Sequence, residues 1–144
     1  MGEDPANVLA PSGDYHLNIT SDTAKGFRGT LQRFIEETEC DMVALIERSG
    51  AVIANEQAKG ANVPRADSLG VLSAGLFAST QMMAEQLGEE ESPEIFCHGK
   101  QHNIFVAPVS AEFALLALFP EGVAVGAVRL HARKAAQTCL LYTS

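Results

Sequence analysis

The side chains able to do chemistry in this chain are few and scattered. Cys97, His98 and His102 lie close together around one short hairpin, and a cysteine beside histidine could make a nucleophile or part of a metal site. Adjacent residues of a strand point to opposite faces, however, and only two or three ligands are in view. The grouping reads as a turn with incidental histidines. Arg48, Arg65, Arg129 and Arg133 are the arginines that could be offered to a partner, although an exposed arginine is ordinarily just solvated. Glu36, Glu37 and Glu39, and again Glu89, Glu90 and Glu91, form acidic runs that read as solvated surface and loop, the second run with a minor role in steering or excluding partners. Gly99 and Lys100 are not part of a phosphate loop, since no GxxxxGK motif followed by Ser or Thr is present, and no GxGxxG follows a strand. No catalytic residue, cofactor or metal is therefore assigned.

The elements that would position a site say more. Arg65 to Gly88 reads as one helix, uncharged between Asp67 and Glu85 yet too polar and broken for a membrane span. At helical spacing Leu69, Leu72, Leu76, Met83 and Leu87 share a face, with Ser73 and Thr80 at its margin, as expected of a helix lying on a core. A second, narrower stripe of Val71, Gly75, Ala78 and Met82, with Ala74 beside it, occupies the other side. A helix apolar on two sides is sandwiched within its own fold or covered by another molecule, and the scarcity of other helices favours the second. Gly75 and Ala78 suit close approach by a partner.

Composition narrows the classes. With 144 residues the chain suits one domain with its own core. A formal charge of −8 and a pI near 4.9 argue against nucleic acid or an anionic membrane, and point to protein partners. The three widely spaced cysteines, Cys40, Cys97 and Cys139, suit a reducing compartment. There is no signal-peptide pattern, and the longest apolar run, Phe113 to Phe119, is too short to span a bilayer. The expected setting is the cytoplasm, without membrane insertion.

Along the chain, residues 1–20 read as a loose arm with a short extended piece at Tyr15 to Ile19, and 21–144 as the domain. Ser21 or Asp22 is expected to cap a helix carrying Ala24, Phe27, Leu31, Phe34 and Ile35, weakened by Gly26 and Gly29. Met42 to Glu47 and Ala51 to Asn55 form a hairpin around Arg48, Ser49 and Gly50. Asp67 or Ser68 is expected to cap the central helix and Gly88 to end it. Three strands follow at Glu94 to His98, Asn103 to Ala107 and Phe113 to Phe119, the last the most buried, with Pro108 marking a strand end. A final helix beyond Pro120 carries a basic edge with Arg129, Arg133 and Lys134.

This order, together with MVALIERSGAVIA at Met42 to Ala54, SLGVLSAGLFAS at Ser68 to Ser79, QLGE at Gln86 to Glu89, the segment Ile95 to Phe119 and VGAVRLHARKA at Val125 to Ala135, resembles the Roadblock family of dynein-light-chain-like proteins. No single motif is diagnostic; order and spacing carry the match, over about Gly26 to Leu140. The resemblance implies a single α+β domain of order α-β-β-α-β-β-β-α, profilin-like, with a five-stranded antiparallel sheet, the central helix on one face and the terminal helices on the other. It implies a homodimer whose third strands pair edge to edge while the central helices meet, with Ile95, Phe96, Cys97, His98 and Phe77 at the interface. It also implies that the paired helices receive a small Ras-like GTPase on Val71, Ala74, Gly75, Ala78 and Met82, and that members acting in cell polarity stimulate GTP hydrolysis by their partner. The chain would then be a regulator without an active site of its own. A scaffold that binds without accelerating hydrolysis, and a small-molecule sensor on a similar fold, are the competing readings.

Overall fold

The computed structural model describes residues 20–143. The arm expected over residues 1–20 and its extended piece at Tyr15 to Ile19 lie outside the described residues, Thr20 excepted.

The first helix, α1, spans Ser21–Glu37. Its cap is Thr20, one position before the expected Ser21 or Asp22: the Thr20 backbone is extended, and its Oγ1 accepts from the Thr23 N–H at 3.1 Å. Asp22 falls instead in the first turn, where a carboxylate suits the positive end of the helix dipole. Gly26 and Gly29 do not break the helix. At Gly26 the ring of Tyr142 occupies the space that a side chain would need.

The strands are β1 (Met42–Glu47), β2 (Val52–Gln57), β3 (Ile95–His98), β4 (His102–Pro108) and β5 (Phe113–Pro120). Helix α2, Ala66–Gln86, follows β2, and α3, Val125–Thr143, follows β5. Between β1 and β2 the turn passes through Gly50 at φ 103°, a conformation that favours glycine. β2 continues past the expected Asn55 because Glu56 and Gln57 still pair with Val43 and Met42, and an edge strand tolerates such polar residues. β4 ends on Pro108, where the missing N–H costs the ladder least.

All strand pairs are antiparallel, in the order β2-β1-β5-β4-β3. β5 therefore holds the centre, as its unbroken apolar run requires, and β1 beside it is buried along its whole length. Alternation along each strand feeds two cores. Val43, Leu45, Phe105, Leu115 and Phe119 pack with Phe27, Leu31 and Phe34 of α1 and with Val128, Ala132 and Cys139 of α3. On the other face Met42, Ala44, Ile46, Val106, Leu116 and Leu118 pack under Phe77 of α2. The chain is thus a mixed α/β fold with the central helix on one face of the sheet and the terminal helices on the other.

Helix α2 corrects two expectations. Its N-cap position is held by Arg65, with no side-chain cap, because the Asp67 carboxylate is engaged by Arg65 at 3.0 and 3.2 Å and by the Ser68 N–H at 3.0 Å. Arg65 is also what holds the Asp67 carboxyl below its ordinary pKa. At the other end Gly88, at φ 80°, closes a Schellman motif: Glu89 N–H donates to Ala84 O at 2.9 Å and Gly88 N–H to Glu85 O at 3.1 Å.

The second correction concerns facing. The expected core stripe is not the buried one: Leu72, Met83 and Leu87 are 70%, 65% and 79% exposed, and Leu76 is also at the surface. The buried residues are Gly70, Ser73, Ala74, Phe77 and Ala84. The helix is turned by roughly one residue, about 100°, from the orientation that side-chain size suggests. Small residues win the inner face because they let the helix lie close to the sheet, where a Cβ on Gly70 would already collide with Val52 and Gly50.

Candidate partner-binding surface

Three features of the described fold are left open: the outer side of α2 and the two sheet edges, β2, whose outer half is polar, and β3. With its small residues and Phe77 turned to the sheet, α2 presents Val71, Leu72, Leu76, Met82, Met83 and Leu87 outward, and no charged residue interrupts them between Asp67 and Glu85. Gly75 lies among them, exposed, with open space where a Cβ would stand. This is a charge-free, largely apolar strip on the outside of a described domain, the kind of surface that marks an interaction site.

Of the expected contact residues, Val71, Gly75 and Met82 are exposed and Ala78 is partly so. Ala74 and Phe77 turn inward, at 4% and 2% exposure, so neither presents surface, and Phe77 belongs to the core under the helix. Sequence reasoning missed Leu72, Leu76, Met83 and Leu87 as surface residues. The available signal was the inner series Ala66, Gly70, Ser73, Ala74 and Ala84 around Phe77, mostly small residues at helical spacing that announce close helix–sheet packing.

β3 is paired on one side only, with β4. Its four residues divide between the two faces of the sheet. Ile95 packs on the α2 side, half-buried, while Phe96, 44% exposed, stacks on Phe119 of the opposite core with ring centroids 6.3 Å apart. Cys97 is half-buried and His98 exposed. The buried Asn103 fixes the hairpin through its Oδ1, 2.7 Å from His98 Nδ1 and 3.2 Å from the Gly99 N–H that it accepts from. That contact gives His98 a structural partner on the strand face opposite Cys97. Among the described residues no group of three His, Cys, Asp or Glu side chains is placed to hold a metal ion.

The arginines are dispersed. Arg48 is exposed on the β1–β2 turn and Arg65 is paired with Asp67. Arg129 and Arg133, on the edge of α3 expected to be basic, both reach Glu94 just ahead of β3, at 3.3 and 2.6 Å. That pairing raises the pKa of Arg133 still further above its ordinary value. Cys40 and Cys139 are buried thiols, pushed up to about 11 and about 12 by desolvation. They are inert packing groups. No helix among the described residues is long and apolar enough to cross a membrane.

Comparison with known proteins bears on the same elements. The Roadblock/LC7 domain matches residues 28–119, from within α1 to the end of β5. Among solved structures, the gliding protein MglB from Thermus thermophilus superposes with a TM-score of 0.83 at 27% identity, covering 90% of this chain and 97% of that one. A structure of MglB with a tetrameric arrangement gives 0.84 at 27% identity, covering 90% and 96%. Myxococcus xanthus MglB gives 0.76 at 22% identity over 87% and 92%, a likeness of fold alone. No curated protein sequence matches the chain. Since the domain match takes in more than half of the residues, the chain belongs to the Roadblock/LC7 family.

Proposed function

We propose that the protein is a homodimeric platform for a small Ras-like GTPase and that it stimulates hydrolysis of GTP by that partner. The observation that carries this reading is the outer strip of α2, where Val71, Leu72, Met82 and Met83 are each more than 60% exposed with no charge among them. Burying such side chains is worth about 1.5–3 kcal/mol apiece, so a partner that covers them gains much of its affinity there. The open β3 edge is the natural place for a second copy, because an unpaired strand is otherwise a template for aggregation. Membership of the Roadblock/LC7 family and the likeness to MglB at 27% identity support the same assignment.

The mechanism is one of positioning. Between Asp67 and Glu85 the outer face of α2 carries no charged side chain, so it serves by holding the partner's switch loops, letting the partner's own residues orient water and stabilise the developing charge. The protein is a regulator acting in the cytoplasm, in a circuit of the polarity or motility kind. Single-turnover GTP hydrolysis by a Ras-like GTPase of the same organism, with and without this protein, tests the reading alongside the mass of the protein in solution. Acceleration by a dimer supports it; binding without acceleration makes the protein a scaffold, and a monomer holding a small molecule makes it a sensor.

A further inference from the structure

β3 is the shortest strand of the sheet, four residues at an open edge. Helix α2 packs on β1, β2 and β5 and leaves it to one side. So short a strand, paired on one side, is poorly fixed by its ladder alone. What precedes it is tied to both helical layers. Gln81 of α2 donates from Nε2 to Ser92 Oγ at 2.6 Å. Two residues on, the Glu94 carboxylate accepts from Arg133 through Nε at 2.6 Å and Nη2 at 3.0 Å, a bidentate pair, and meets Arg129 Nε at 3.3 Å. Arg129 and Arg133 stand one helical turn apart on α3, so they close on the carboxylate from the same side. Most ion pairs at a surface contribute little, but Glu94 is only 23% exposed and engages two guanidinium groups, the geometry in which such a network does contribute.

We propose that residues 92–94 form a strap joining α2 to α3 around the edge of the sheet, and that Glu94 is the positioning residue that holds β3 in place for pairing with a second copy. The inference rests on the homodimer reading above. Its consequence is coupling between layers: whatever moves α2 or α3 changes the seam, and by linkage pairing at the seam changes how α2 meets its partner.

The test uses the full chain as wild type, as Glu94→Gln, and as the exchanged pair Glu94→Arg with Arg133→Glu, carried on Arg129→Gln so that no arginine opposes the new one. Sedimentation equilibrium at low and high salt gives the dimer dissociation constant, and amide exchange gives the protection of Ile95 to His98. Glu94→Gln is expected to raise the dissociation constant about fivefold at low salt. It is also expected to blunt the weakening that salt causes in the wild type and to speed exchange in β3, with the exchanged pair restoring all three. A Glu94→Gln dimer as tight and as salt-sensitive as the wild type overturns the strap while leaving the homodimer standing. Failure of the exchanged pair to restore what Glu94→Gln loses also overturns it. A wild type that is monomeric at every concentration removes the homodimer reading and the strap together.

Discussion

A Cβ placed on Gly70 would stand 3.0 Å from the carbonyl oxygen of Gly50, so the first half of α2 rests directly on the β1–β2 turn. The same Cβ would meet Val52 Cγ2 at 2.8 Å, leaving no direction in which it fits. Gly70→Ala should therefore destabilise the fold by about 1 kcal/mol net, an overpacking cost of about 1–3 kcal/mol exceeding the helix-propensity gain of about 1 kcal/mol. Gly75→Ala is the control: nothing lies within 4 Å of its Cβ position, and it should stabilise by roughly 0.5–1 kcal/mol. Urea denaturation of the two variants separates these outcomes.

Charge placed on the outer strip should abolish partner binding and spare the fold. Gly75→Arg and Met82→Arg are expected to lower stimulated GTP hydrolysis more than about tenfold, as loss of a central contact does. Stability should stay within about 0.5 kcal/mol of the wild type for Met82→Arg, a surface substitution. Ala78→Arg should act in the same direction, although Ala78 is only partly exposed and its variant will also disturb packing. Normal stimulation by all three would remove α2 from the interface.

No arginine of this chain is expected to serve as a finger. Arg48→Ala and Arg65→Ala should each change stimulated hydrolysis by less than about threefold, whereas removing an arginine finger costs about 10³-fold or more. Single-turnover rates at saturating protein decide between the two.

The buried thiols make stability fall in alkali. Cys40 and Cys139 titrate near 9.0 when unfolded but near 11 and 12 when folded, because burial disfavours the thiolate. The unfolded chain thus loses its protons first as pH rises. Their contribution is intact below about pH 9 and is lost progressively as pH climbs toward the folded values. Urea midpoints measured from pH 8 to 11 should fall more steeply in the wild type than in Cys139→Ala. Equal slopes would show that Cys139 is not held in its neutral form by the fold.

Much of the architecture was legible without coordinates, for reasons that particular residues make plain. The seven-residue apolar run Phe113 to Phe119 can be satisfied only between two covering layers, and β5 is found at the centre of the sheet. Gly50 and Gly88 marked a turn and a helix end because each adopts positive φ, which few other residues tolerate. The facing of α2 was not legible in the same way. Leu72 and Met83 declare that they are apolar, but hydrophobicity says only that a side chain prefers to leave water, not which molecule will cover it.

What the chain determined by itself, then, is local and periodic: the order of helices and strands, the alternation that feeds two cores, and the presence of one long helix with apolar residues on more than one side. What only the tertiary structure decided is which side meets the sheet, since burying Ser73, Ala74 and Phe77 with Gly70 set close against β2 and the β1–β2 turn outweighs the larger side chains that spacing alone would bury. It also decided the meeting of Glu94 with Arg133, 39 positions apart, because a contact at that separation is set by how the sheet brings β3 beside α3 and leaves no trace in local pattern.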